Sequence, residues 1–369
     1  MGATYTYLIA DLRTGLVVDE LPLSGVTFDK KLNDGGTLRG SLPVADPVVR
    51  DREPRLLTEP GRSAVYVDRD GELVWGGIIW TSRYSALTGV LELGAADFLS
   101  YFEHRYVLNA ANLDQTVDFP GVDQVEIART AITMAQAHPG GNLGISLQGA
   151  TSSGITRTLS YSANDLKPVA DLLRDLANAE RGFDFSFDVR YDENARPQRF
   201  LRIGYPRIGQ PGAPHVWEYG ANMVDFTWPV DASSMATRVF AQGTADDGAS
   251  VVRRAEDTAA YAAGWPLLEN SASQLDTRDT GLLDEHARGE LAATRRPVAL
   301  PELVVRADLD PILGRYSVGD SARIVVDDPF FARDQLDATL RIVAFEVNPG
   351  DDAGQEEVKL TVMPILEPS

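Results

Sequence analysis

The stretch "VDRDGELVWGGIIWTSRY", Val67 to Tyr84, decides how the chain is read. Alternating apolar residues on either side of Asp70-Gly71 describe two strands joined by a tight turn, since glycine accepts the positive φ such a turn requires. The second strand carries two adjacent glycines, Gly76 and Gly77, in its middle. Paired glycines can cradle a phosphate, or they can mark a bend or a close backbone approach. A cradle needs a helix N-terminus to supply amide donors, and here the strand simply continues. The pair is therefore expected to serve a structural bend or close contact.

The alternation extends outward from this hairpin. Upstream, "YTYLIADL", "GLVVDEL", "VTFDKKL" and "GTLRGSLP" read as strands, the last two separated by the turn "NDGG" at Asn33 to Gly36. Downstream comes "VLELGA", so residues 1–100 form an antiparallel β-domain. The middle then changes period. Asp123 to His138 and Asn164 to Arg181 place apolar residues at helical spacing, the second with a capping-box-like start at Ser162 and Asp165. "FDFSFDVRY" follows as a strand with Phe183, Phe185, Phe187 and Val189 on one face, which predicts a half-solvated sheet paired with "QRFLRIGYP". Helices on a small sheet make residues 101–215 an α+β module. Residues 216–369 return to strands, interrupted by a helix near Thr280 to Arg296.

The last strands repeat the opening pattern. "GRSAVYVD" at Gly61 to Asp68 resembles "GDSARIVVD" at Gly319 to Asp327, and each is followed by a turn, a long strand, another turn and a third strand. The second copy puts about Arg341 and Ile342 where the first has Gly76 and Gly77, so the framework itself does not demand glycine there.

Composition narrows the function. The chain has 369 residues, 54 acidic against 34 basic side chains, and a formal net charge of -20. Such a balance argues against gripping nucleic acid, which requires clustered Lys and Arg. There is no cysteine, hence no disulfide, thiolate metal site or cysteine nucleophile. No apolar run approaches the roughly 20 residues of a membrane-spanning helix. Walker, dinucleotide-binding, zinc-protease and serine-elbow motifs are absent, and the four histidines are scattered. His286 and Glu290 read as an exposed helix pair, and the acidic loops "DDPFFARD" and "DDAGQEE" lack the ligand alternation of a calcium loop. No enzyme activity, metal or cofactor is expected.

The order of parts resembles a known family. "LVWGGIIWTSRY" with "VLELGAADFLSYFEHRYV", and later "DASSMATRVFAQG", "LLDEHARGELAA", "YSVGDSARIVV" and "LRIVAFEV", are similar to the tail-tip hub proteins of long-tailed bacteriophages, related in fold to contractile-tail baseplate hubs. The resemblance implies a mainly β fold: two similar tube-like antiparallel β-domains plus a helix-on-sheet module. It also implies a homotrimer in the virion tail tip, whose six similar domains would continue a sixfold tail tube. Its implied neighbours are a distal tail protein or the tube above, a central fibre or tip protein below, and the C-terminus of a tape-measure protein. DNA would pass through without specific binding. A hub of a contractile injection particle, or a carbohydrate-binding or glycan-cleaving β-protein, are the alternative readings.

Charge placement supplies the last expectation. Residues 1–100 carry 14 acids and 10 bases, while residues 300–369 carry 14 and 6. A polyanion slides past an acidic wall and sticks to a basic one. Asp327, Asp328, Asp351, Asp352, Glu356 and Glu357 are thus the candidates for lining a channel.

Overall fold

The computed structural model describes residues 3–179, 181–210, 212, 214–244, 250–272, 280–331, 335–350 and 356–365. Contacts divide the chain into two units, Met1–Phe226 with Glu302–Ser369, and Thr227–Pro301. Neither 100 nor 215 is a boundary of this division; both positions fall inside the first unit.

Seven strands open the first unit: β1 (Tyr5–Asp11), β2 (Val17–Glu20), β3 (Ser24–Lys31), β4 (Thr37–Pro43), β5 (Ser63–Arg69), β6 (Glu72–Ser85) and β7 (Val90–Asp97). Two single-turn helices, α1 (Pro47–Arg50) and α2 (Pro54–Leu57), lie between β4 and β5. The β5–β6 turn uses positive φ at Asp70 and Gly71, as its sequence required. The strands pair in the order β2-β1-β5-β6-β7-β4-β3.

The helical segment follows with α3 (Leu99–Glu103), β8 (Val117–Asp123), α4 (Gln124–Ala137), β9 (Ile145–Gly149), β10 (Thr156–Tyr161), α5 (Val169–Asn178), β11 (Asp184–Tyr191) and β12 (Pro197–Gly204). Asp123 caps α4 through a side-chain bond from the Val125 amide. Helix α5 starts five residues later than its apolar spacing predicts. Leu166 takes positive φ, and Pro168 disfavours helical geometry at Lys167, so Ser162 and Asp165 close a turn instead of capping a helix.

After β13 (His215–Glu218) and β14 (Met223–Thr227), the chain enters the second unit. That unit holds β15 (Val230–Asp231), β16 (Arg238–Thr244), β17 (Ser250–Glu256), α6 (Thr258–Ala262), β18 (Glu269–Ala272), α7 (Thr280–Thr294) and β19 (Val298–Ala299). Strand β16 pairs with β17 and β18, and Leu283, Ala287 and Leu291 of α7 pack with Val239, Ala241 and Ala255 of the sheet.

The first unit resumes with β20 (Glu302–Arg306), β21 (Ser321–Val326), β22 (Leu336–Asn348) and β23 (Glu357–Pro364). These pair as β14-β20-β23-β22-β21-β13, and a bridge between Tyr219 and Met223 joins the two ends of that series. The distal half of β22 also pairs with β3, Ala344 to Val347 against Lys31 to Phe28. The two motifs are thus one hydrogen-bonded sheet, to which thirteen of the described strands belong.

The duplication holds strand for strand. Strands β4, β5, β6 and β7 pair as β20, β21, β22 and β23 do. Against its third strand each long strand carries one bulge, Trp80 where β6 meets β7 and Val343 where β22 meets β23, five residues before the last pair, Ser85↔Val90 or Asn348↔Glu357. This shared register makes Thr339 and Leu340, not Arg341 and Ile342, the equivalents of Gly76 and Gly77. The octapeptide match is displaced by one residue, because Ala64 pairs with Ile78 as Ser321 pairs with Arg341. Face assignment agrees: Ile79 and Ile342 both enter the inner core, while Ile78 and Arg341 both lie outside it.

Two hydrophobic cores share the sheet. Inward residues of both motifs, among them Phe28, Trp75, Trp217, Ile324, Phe345 and Leu360, form one. The outer face of β1, β5 and β6 forms the other with the helical segment, so that Ala64, Tyr66 and Ile78 pack with Phe102, Leu173 and Phe185. Covered on both faces, β5 is buried along its whole length.

Candidate functional site

Strands β3 and β22 create the feature that distinguishes this chain from a single β-domain: a junction where one motif continues into the other. Phe345 and Val347 of β22 are 5% and 0% exposed there, and Phe28 of β3 is 1% exposed. The outer side of the junction is polar. Thr27, Asp29, Thr37, Arg39 and Glu346 line a shallow cleft, in which the Thr37 amide donates to Asp29 at 2.9 Å.

A buried ionic seam locks the helical segment onto this junction. Strand β11 alternates as its sequence requires, but Asp184, Ser186 and Asp188 of its polar face are buried too and only Arg190 is exposed, so the half-solvated expectation fails over most of the strand. Asp184 pairs with Arg341 of β22, which also donates to the Gly319 and Ile208 carbonyls at 3.0 and 3.1 Å. Asp188 pairs with Lys30 of β3 and lies 3.0 Å from Arg202. Burial alone would raise the Asp188 carboxyl, yet Lys30 and Arg202 hold it below the usual carboxylate range. Asn33, in the β3–β4 turn, exchanges bonds with β11: its amide donates to the Phe185 carbonyl at 3.1 Å, and its side chain accepts from the Phe185 amide at 2.7 Å.

Asp97 is a buried carboxyl group of the first motif. It ends β7 and is 6% exposed, accepting from the Gly36 amide at 3.0 Å and the Leu99 amide at 3.0 Å. Burial pushes its carboxyl up to about 7, against the pull of those two bonds. Its register counterpart in the second motif is Pro364.

The glycine pair lies where strands and helical segment meet most closely. Neither glycine takes positive φ. A Cβ on Gly76 would fall 2.6 Å from Tyr66 Cδ1 and 2.9 Å from Val189 Cγ1 of β11, and one on Gly77 would strike the Ala96 carbonyl. The register irregularities of β6 fall at its neighbours Val74 and Trp80 instead.

The acidic candidates separate. Asp327 and Glu357 are exposed, and Asp328 is half-buried, accepting from the Phe330 amide at 2.8 Å. Glu356 faces inward: its carboxylate takes two bonds from Arg69, at 2.7 and 2.8 Å, and one from the Tyr5 hydroxyl. Burial first, and then Glu356, raise the Tyr5 phenol, so the group is neutral in the folded chain. Glu356 is therefore a structural tie between motifs rather than a free wall charge. Asp351 and Asp352 lie outside the described residues. The seam residues Asp184, Asp188 and Arg341 escaped the sequence reading because an alternating strand looks the same whether its polar face meets water or a second set of charges.

Among the described residues, no group of three or more His, Asp or Glu side chains is arranged to hold a metal ion. No described helix is long and apolar enough to cross a membrane.

No protein-family model and no curated protein matches the sequence. Solved structures match the fold. The tail protein from Neisseria meningitidis MC58 aligns with a TM-score of 0.61 at 13% identity, covering 98% of this chain and 97% of that one. The 43 kDa tail protein of prophage MuSo2 from Shewanella oneidensis gives 0.62 at 12% identity, over 97% and 98%. Prophage tail protein gp18 from Listeria monocytogenes EGD-e gives 0.54 at 14%, over 96% and 94%. The chain has the fold of bacteriophage and prophage tail proteins across nearly its whole length.

Proposed function

We propose that the chain is the hub of a phage tail tip: a homotrimeric ring that closes the tail tube, seats the central tip or fibre and forms part of the DNA ejection channel. The observation that carries this reading is the duplicated β-motif fused through β22 and β3 into one sheet. Three copies of a two-motif chain present six similar units, which matches a threefold part to a sixfold tube. The role is structural: the buried charges tie strands together, Asp184 to Arg341 and Glu356 to Arg69. Partners on this reading are a distal tail protein or tube ring on one side, a fibre or tip protein on the other, and the end of a tape-measure protein. Asp327 and Glu357, both exposed, are the remaining described candidates for an acidic channel wall, with Asp328 at its margin.

Electron microscopy of assembled tails tests this. Three copies in one ring at the distal end of the tube is the expected result. A single copy, a ring of six, or a position away from the tip overturns it.

A further inference from the structure

The second unit carries a strand with one flank unoccupied. Its three-stranded sheet runs β17-β16-β18, so β17 pairs with β16 along Ser250–Glu256 and has no described strand on its other side. Among the described residues, no backbone hydrogen bond joins Ser250–Glu256 to any segment other than β16. The amide and carbonyl groups of that flank are a ready template for an added strand.

The side chains at this strand narrow what could be added. A cleft of about 320 Å³ opens at β17, lined by Phe240, Val252, Arg253, Arg254 and Asp284. Arg254 stands directly across from Phe240, and Val252 lies on the same outward face, since Val251 and Ala255 turn inward to pack with α7. Val252 is 51% exposed. In a chain of net charge -20, this edge presents two adjacent arginines. Arg253 lies 3.7 Å from Asp284 of α7, and Arg254 makes no ion pair among the described residues. The one acid of the strand, Glu256, is already held by Arg238 at 2.7 Å and by the Tyr261 hydroxyl at 3.0 Å.

We infer that β17 takes up an extended acidic segment of another protein as a fourth strand of this sheet, with Arg253 and Arg254 meeting its carboxylates and Val252 with Phe240 meeting an apolar side chain. Main-chain pairing supplies the affinity, and the side chains select the partner. Two arginines on an edge repel a second β17 and admit a strand of opposite charge, which favours a foreign segment over another copy of this one. The site lies within the second unit alone, so it stands independently of the ring proposed above.

The test titrates the full chain with a panel of fluorescein-labelled seven-residue peptides of glutamate and valine in differing order, followed by anisotropy and by amide hydrogen exchange. Saturable binding that slows exchange in Ser250–Glu256 is expected. Arg254 is exposed, so Arg254→Glu leaves the core undisturbed; it should weaken that binding by about tenfold or more and gain affinity for the peptides with lysine in place of glutamate. Backbone N-methylation of the peptide removes the donors of a ladder and should abolish binding. No binding up to about 1 mM peptide would overturn the inference. So would equal binding of glutamate and lysine peptides, unchanged binding to Arg254→Glu, or binding that leaves exchange in Ser250–Glu256 unaltered. Protection of the same residues that grows with protein concentration alone would make a second copy the occupant, and the foreign acidic segment would be wrong.

Discussion

The same three-stranded unit, β5 to β7 and β21 to β23, occurs in this chain in two environments. In the second motif the distal half of the long strand is covered by β3, and its side chains are core. In the first motif the corresponding residues face outward. Burial at these positions is therefore decided by what lies alongside, since the strand geometry, bulge and hairpin register are common to both. A similar contrast appears on the outer face. The first motif meets the helical segment with Ile78, and the second meets it with Arg341, which requires Asp184 opposite.

Replacing Arg341 tests that second contrast most severely. Arg341→Ala leaves Asp184 buried without its cation, and removing one partner of a buried pair costs about 3–5 kcal/mol. Urea unfolding of the full chain should show the loss. A change within about 0.5 kcal/mol, as for an ordinary surface site, would mean the seam is solvated.

The pH dependence distinguishes the motifs through Asp97. Its folded-state value is raised from the ordinary 3.8 to about 7, so the folded chain binds this proton more tightly than the unfolded chain does. Stability from this group is present in full below about pH 4 and is lost as pH rises through about 7, with a slope of about 1.4 kcal/mol per pH unit at its steepest. Denaturation midpoints measured between pH 4.5 and 7.5 should fall in the wild type and flatten in Asp97→Asn. Identical slopes in the two proteins would remove Asp97 as the cause.

Gly77→Val places a side chain against the Ala96 carbonyl, which belongs to the adjacent strand backbone and cannot swing aside. Overpacking of this kind costs about 1–3 kcal/mol, so folding yield and melting temperature should both drop. Leu340→Val, at the register counterpart, only shortens a core side chain and should cost about 1 kcal/mol. If Gly77→Val folded normally and instead lost binding to inorganic phosphate, the close-approach account would fail.

The smallest expected effect sharpens the comparison of the two long strands. Val347→Ala should destabilise the isolated chain by about 1–2 kcal/mol, while Tyr84→Ala should stay within about 0.5 kcal/mol. Equal losses at the two positions would show that Tyr84 is already covered within one chain.

Much of this fold was legible from residue order. Asp70-Gly71 and Asn33 to Gly36 announced their turns because positive φ is a local demand that few residues meet. The α4 and α7 helices and the duplicated strands declared themselves by period, which is also local. The start of α5 was misread where Leu166 and Pro168 broke a good apolar stripe, and a weak local preference gave way to a backbone restriction.

What sequence by itself determined, then, is the set of elements, their periods, the repetition of one β-motif and the surplus of acid. Tertiary structure alone decided that the two motifs share one sheet, that β11 is buried on both faces over most of its length, that Glu356 binds Arg69, and that Tyr84 is left bare. Each of these depends on which surfaces meet across long stretches of chain, from Lys30 to Asp188 or Arg69 to Glu356, and an alternating pattern records only that a strand has two faces. Whether the second face meets water, a counter-charge or another strand is set by the partner.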